Sequence, residues 1–149
     1  MKSSISRFLL CTMFLAMPLT ALAQAPMPGP DMILIRATTK TPDQVVDAIK
    51  LYSEEKKWAY LGANKVKQGE VTIVKVCIPP IGKLLWDIGL QMSALLPCGN
   101  MSVYQSKDQT QISMLHPRYM QMLYPHPEVE KAVAMATPLL TAMLDAVAK

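Results

Sequence analysis

The sequence lacks the short motifs that mark most catalytic and cofactor sites. It contains no G-x-S-x-G, no H-E-x-x-H, no C-x-x-C and no phosphate-binding glycine loop. No internal repeat or low-complexity tract stands out either. Because no common class of active site has a supporting pattern, we favour a protein that is not an enzyme.

Charge is also scarce, since charged residues make up only 17% of the chain and the net charge is +4. Two of the 15 basic side chains, Lys2 and Arg7, belong to an N-terminal segment that we expect to be removed. The mature chain keeps 13 basic and 11 acidic side chains, so its net charge is +2. No basic stripe interleaved with aromatics is present, and we therefore expect no nucleic-acid partner.

Residues 1–23 have the pattern of a secretory signal peptide. Lys2 and Arg7 precede an apolar run from Phe8 to Leu19, and Ala21-Leu22-Ala23 forms an A-x-A cleavage site. The run is shorter than the ~20 residues needed to span a bilayer. We expect a mature chain that starts near Gln24, lies in the periplasm or is secreted, and keeps no stable membrane span.

The mature chain has few cysteines and a simple organisation. Cys11 leaves with the signal, so only Cys77 and Cys98 reach an oxidising compartment, where a disulfide is allowed. Residues 24–31 are rich in proline and predict a flexible tether. Residues 32–149 then suit one domain that is large enough to bury a core without stabilising disulfides or metal ions.

The hydrophobic pattern of this domain predicts alternating strands and helices. Thr41-Pro42-Asp43-Gln44 predicts a helix start with a capping box, and Val71 to Val76 is the strongest strand signal. Lys107-Asp108 separates two further strand-like runs and predicts a hairpin. A last helix starts near Pro127, and we expect Pro138 to kink or split it. The order predicts an α+β domain whose helices cover one face of a mainly antiparallel sheet.

The two mature cysteines bracket the most distinctive part of the chain. Val76-Cys77-Ile78-Pro79-Pro80 ends one predicted strand, and Leu95-Leu96-Pro97-Cys98 opens the next. This pattern resembles the family known as domain of unknown function 302, over roughly residues 40–149. The resemblance implies a TATA-binding-protein-like β-α-β arrangement and a tendency to form homodimers. It implies no reaction, because the family has no agreed activity.

Whether the cysteines can meet depends on the helix between them. One straight helix over Ile81 to Leu96 would hold them about 24 Å apart, too far for a bond or a shared metal. A break at Gly89, which we predict as a helix C-cap, would let the chain double back. A buried, inert role as small apolar side chains is the alternative.

Two kinds of chemistry are open to the candidate residues. Cys77 precedes a predicted helix, whose backbone donors and positive end favour a thiolate. Cys77 and Cys98, with Met114 and His116, offer ligands that suit a soft metal such as copper. The spacing matches no known metal motif, and His116 and His126, each before a proline, fit loop or capping roles better than a ligand role.

We therefore carry three functional hypotheses from the sequence. The first is a non-catalytic binding or sensing module, with a pocket near Cys77, Cys98 and the hairpin for an unknown small ligand or a soft metal. The second is a thiol-based redox or sulfur-handling protein that uses Cys77 and Cys98. The third is a domain that chiefly self-associates as a homodimer.

Overall fold

The computed structural model describes residues 30–96 and 99–149. The predicted signal peptide and most of the predicted tether lie outside the described residues. Within them, the strands are β1 (Ile33–Thr38), β2 (Ala59–Val66), β3 (Val71–Cys77), β4 (Gly99–Ser106) and β5 (Gln109–Leu115). The α-helices are α1 (Pro42–Glu55), α2 (Pro79–Trp86), α3 (Tyr119–Leu123) and α4 (Pro127–Ala148), and short 3-10 helices span Pro30–Met32, Lys67–Gly69 and Leu90–Leu95.

The strands form one sheet in the order β1-β5-β4-β3-β2, and every neighbouring pair is antiparallel. The predicted hairpin is confirmed, since Ser106 pairs with Gln109 across Lys107 and Asp108. Lys107 adopts a φ of 53° in this turn. A register shift between Tyr60 and Gly62 interrupts the β2–β3 pairing.

The helices pack against one face of the sheet, which we call the covered face. Alternate strand residues point into it, so that Val74, Met101 and Met114 are cross-strand neighbours and all buried. Val45 and Ile49 of α1 and Leu140 of α4 join the same core cluster. The predicted α+β domain with a mainly antiparallel sheet is confirmed.

The opposite side of the sheet, which we call the open face, carries the other set of alternate residues. In the described part of the chain, the buried apolar side chains of α1 to α4 belong to one core cluster, and no open-face residue is part of it. The residues of the open face come from all five strands and include Ile33, Ile35, Ala37, Ala59, Gly62, Asn64, Val66, Val71, Ile73, Lys75, Cys77, Ser102, Tyr104, Gln111, Ser113 and Leu115.

The start of α1 matches its sequence prediction. Thr41 is the N-cap, and its hydroxyl oxygen accepts a hydrogen bond from the Gln44 backbone N–H at 3.3 Å. The Gln44 side-chain oxygen in turn accepts one from the Thr41 N–H at 2.8 Å, which completes the capping box. Val45 and Ile49 then lie on the buried side of the helix.

We predicted that Pro138 kinks or splits the last helix; the split is wrong, because α4 runs unbroken through Pro138. Proline supplies no N–H to the carbonyl four residues earlier, which belongs to Ala134. Both Pro138 and Ala134 are exposed, so water can satisfy that carbonyl. By length and composition α4 could cross a membrane, yet seven of its residues are buried in this structure.

The predicted tether extends two residues too far. Pro30 and Asp31 belong to the first 3-10 helix, and the Asp31 carboxylate accepts a hydrogen bond from the Arg118 guanidinium. Met32 is buried, with 4% of its surface exposed. The folded part therefore includes Pro30 and Asp31.

We expect Thr41→Ala to lower the free energy of unfolding by about 1 kcal/mol, because it removes the acceptor for the first turn of α1. Urea melts of the purified protein measure the change. Thr41→Ser, which keeps the hydroxyl, and Thr39→Ala, at an exposed position just before the cap, are the matched controls. An unchanged midpoint for Thr41→Ala would show that the cap contributes nothing.

Candidate functional site

Cys77 is the last residue of β3 and is buried, with 8% of its surface exposed. It pairs with Ala59 of β2, and its chain neighbour Val76 pairs with Gly99 of β4. Cys98, the predicted partner, lies outside the described residues. The structure therefore gives the position of Cys77 and of Gly99, the residue that follows Cys98 in the chain.

The chain between the two strands is broken, as the sequence predicts. Helix α2 ends at Trp86, and a separate 3-10 helix spans Leu90–Leu95. The Trp86 indole N–H donates to the Ser93 hydroxyl at 2.9 Å, which ties the second segment back to α2. The C-cap is Asp87 rather than Gly89, so the predicted position of the cap is wrong although the break itself is confirmed.

The predicted backbone donors for a Cys77 thiolate are not available at the start of α2. Pro79 and Pro80 occupy the first two helical positions and carry no N–H. The next two N–H groups, of Ile81 and Gly82, both donate to the Ile78 carbonyl, at 3.0 and 3.1 Å. The two prolines and the Ile78 carbonyl together leave none of these four backbone positions with an N–H group for the Cys77 sulfur.

Met114 does not lie on the same face of the sheet as Cys77. Its side chain is 4% exposed, and its partners across the sheet are Leu34 and Met101 on the covered face. Val76 also belongs to the covered face, and Cys77 follows it, so alternation directs Cys77 to the other side. Two members of the predicted metal set of Cys77, Cys98, His116 and Met114 thus lie on opposite faces of the sheet, namely Cys77 and Met114, while Cys98 lies outside the described residues.

His116 follows β5 and takes part in a tight turn. Its N–H donates to the Met32 carbonyl at 2.8 Å, and its Nδ1 accepts a hydrogen bond from the Arg118 N–H at 3.1 Å. A neutral imidazole that accepts through Nδ1 carries its proton on Nε2, so neither ring nitrogen is ready to bind a metal. His126 behaves similarly, because its Nδ1 accepts from the Glu128 N–H as the N-cap of α4.

Arg118 connects this turn to the start of the domain. Its Nε donates to the Met32 sulfur at 2.9 Å, and its guanidinium binds the Asp31 carboxylate. This hydrogen bond holds the pKa of Asp31 below its usual value. Burial lowers the pKa of His116, the nearby Arg118 charge lowers it further, and Asp31 acts in the opposite direction. No local pattern indicates this cluster, since Asp31 and Arg118 stand far apart in the chain.

Comparison with known proteins shows the family. The profile described as "Domain of unknown function DUF302" matches residues 35–147. The chain belongs to the DUF302 family. Its fold also resembles the crystal structure of an uncharacterized conserved protein DUF302 from Bacillus stearothermophilus, with a TM-score of 0.69 and 17% sequence identity. That similarity covers 79% of this chain and 98% of the other, and at this identity it concerns the fold alone. No curated protein shows significant similarity.

Within the described residues of this DUF302 domain, the Cys77 end of β3 and the hairpin lie at opposite ends of β4. Strand β4 starts at Gly99, beside the Cys77 end of β3, and reaches the hairpin only after Ser106. Eight strand residues span about 25 Å. The groove at the hairpin is lined by polar residues, namely Ser106, Lys107, Asp108, Gln109 and Gln111. Among the described residues, no group of three or more His, Cys, Asp and Glu side chains could hold a metal ion.

We expect the His116 turn to make stability depend on pH. The folded-state pKa of His116 lies below its ordinary value of 6.5, so the unfolded chain takes up the proton first as the pH falls. This contribution is complete above about pH 6.5 and is lost as the pH falls toward the folded-state pKa. His116→Asn keeps a side-chain acceptor for the turn but does not titrate. Urea melts at pH 7.5 and 5.5 should therefore show a smaller loss of stability for the variant than for the wild type.

The difference in free energy of unfolding between variant and wild type at pH 7.5 is the cost of the substitution itself. This cost is subtracted before the losses of stability between pH 7.5 and 5.5 are compared. Asp31, whose lowered pKa affects stability only near or below its ordinary 3.8, does not interfere in this range. Equal losses in the two proteins would contradict the assignment.

Proposed function

We propose that the protein is an exported, non-catalytic binding or sensing module whose site lies at the Cys77 end of β3. Its ligand is a soft metal ion or a small thiol-reactive molecule, and Cys77 and Cys98 supply the sulfur ligands. Export to the periplasm or outside the cell rests on the N-terminal segment Lys2 to Ala23, which has the charge and apolar pattern of a signal peptide.

One observation carries the proposal, namely the pairing of Val76 with Gly99. Directly opposed residues of antiparallel strands have Cα atoms about 4.5–5.5 Å apart. Each cysteine is bonded to one member of this pair, and a peptide unit separates neighbouring Cα atoms by about 3.8 Å. The pairing thus supports the two sulfurs being within reach of a common ion, to which each bond would be about 2.3 Å long.

The sulfur ligands and their surroundings favour a soft ion. Thiolates select ions such as Cu(I), whereas carboxylates and carbonyls suit Mg²⁺ and Ca²⁺. Cys77 is almost fully buried, so an ion bound there would be shielded from water. Met114 and His116 contribute nothing to the proposal, because one lies on the covered face and the other already uses its Nδ1 in a turn.

We expect the reduced protein to bind one Cu(I) ion per chain. Competition with a chromogenic Cu(I) chelator measures the affinity. Cys77→Ser and Cys98→Ser should each weaken binding at least about 100-fold, since a hydroxyl is a hard ligand. Met114→Leu is the matched control and should bind as the wild type does. Retention of affinity in both serine variants would rule out the cysteine site.

A thiol redox role is the second candidate, and the same strand pairing favours it. In such a protein the two thiols form a disulfide, losing two protons and two electrons to the disulfide of an exported partner, which is reduced to two thiols. The returning segment from α2 to Leu95, fixed by the Trp86–Ser93 hydrogen bond, supports closure of this loop. The start of α2 gives this candidate no additional support, because its first N–H groups are absent or already used.

For this candidate, we expect the exported protein to show no thiols before reduction and two per mature chain afterwards in denaturant. The disulfide would close a loop of about 20 residues, and breaking it should lower the free energy of unfolding by about 3 kcal/mol by the chain-entropy estimate. Reduction should therefore lower the melting temperature of the wild type but not that of Cys77→Ala. Two titratable thiols in the protein as exported would exclude the disulfide while leaving the metal site testable.

A further inference from the structure

We propose that the groove at the β4–β5 hairpin is a second binding site, which takes a neutral ligand with neighbouring hydroxyl groups, such as a sugar. The groove has a volume of about 480 Å³ and is lined by Ser106, Lys107, Asp108, Gln109 and Gln111. This volume lies within the ~300–1,000 Å³ range of small-molecule sites. The groove and the cysteine site lie at opposite ends of β4, so this site is independent of the proposed function.

The hairpin is held in shape by hydrogen bonds from the side of the sheet away from the groove. Gln105 and Thr110 pair across the hairpin, next to the Ser106–Gln109 pair, and alternation directs them to the covered face. The Gln105 side-chain amide donates to the Lys107 carbonyl at 3.1 Å, and its oxygen accepts from the Thr110 hydroxyl at 3.1 Å. The turn is therefore fixed before a ligand arrives, which reduces the entropy lost on binding.

The side chains in the groove have hydrogen-bonding groups available to a ligand. Within the described part of the chain, the Ser106 hydroxyl and the Gln109 amide make no hydrogen bond. The Gln111 side-chain oxygen accepts from the Tyr104 hydroxyl at 2.9 Å, which orients this amide and leaves its two N–H donors for a ligand. The groove thus presents donors and acceptors side by side.

The turn residues Lys107 and Asp108 give the groove one positive and one negative charge. Neither side chain is in an ion pair with any residue that the structure describes. The ammonium group donates hydrogen bonds, and the carboxylate accepts them on both of its oxygens. Because the two charges lie side by side, the groove favours neither a strongly anionic nor a strongly cationic ligand, and it selects a neutral one.

Two other classes of ligand fit the groove less well. An apolar ligand needs the mostly apolar lining of a typical small-molecule pocket, whereas all five lining residues here are polar or charged. A hard metal ion such as Ca²⁺ takes about six to eight oxygen ligands, and Asp108 supplies the only carboxylate among the lining residues. A sugar hydroxyl, in contrast, donates and accepts at the same oxygen, which matches the mixture of groups in the groove.

Nuclear magnetic resonance titration of the nitrogen-15-labelled mature protein tests the proposal, with maltose, cellobiose and N,N′-diacetylchitobiose as probes. At least one sugar should shift the amide signals of residues 104–111, with a dissociation constant in the millimolar range. Ser106→Ala and Gln109→Ala should each weaken this binding about 5-fold or more, because each leaves a ligand hydroxyl without its partner. Gln121→Ala is the matched control, since it removes an exposed glutamine amide from α3, beyond the far end of β5, and it should bind as the wild type does.

The spectra themselves show that each variant is folded, so that loss of binding is not loss of the fold. The absence of shifts in residues 104–111 with all three sugars would overturn the proposal. Unchanged affinity in both Ser106→Ala and Gln109→Ala would also overturn it, as would stronger binding of inorganic phosphate than of any sugar to these residues. No cysteine lines the groove, so either result leaves the metal and disulfide tests unaffected.

Discussion

Burial of the covered face of the sheet against α1 and α4 holds the five strands in register. Because side chains alternate along a strand, a slip of one residue would expose Val74, Met101 and Ile112 and bury their polar neighbours. The register is therefore fixed along every strand, including the point where Val76 faces Gly99. The candidate cysteine site and the open face both follow from this single alignment.

The features that were predictable from sequence are those that local chemistry determines. The Thr41–Gln44 capping box and the turn at Lys107-Asp108 each depend on a few adjacent residues, and the structure contains both. The α+β class followed from hydrophobic periodicity. The break after α2 was also predictable, because a glycine lies between two apolar segments.

The features that were missed depend on residues that are distant in the chain or on how exposed a group is. The contact of Asp31 with Arg118 has no local signal, so the first 3-10 helix was mistaken for tether. The effect of Pro138 depended on whether the carbonyl it leaves unpaired faces water. Likewise, Met114 and Cys77 could be assigned to opposite faces only after the strand register was known.

The segment from α2 to the 3-10 helix also has a consequence for the order of folding. The β2–β3 and β4–β5 connections are short, and hairpins of this kind form in about 1–10 μs. The β3–β4 alignment joins these two hairpins and needs closure of a longer loop, whose entropy must first be overcome. Each hairpin can therefore form on its own, whereas the end of β3 acquires its β4 neighbour only when the two halves of the sheet join. Until then the Cys77 side chain is exposed to solvent, and its burial coincides with completion of the sheet.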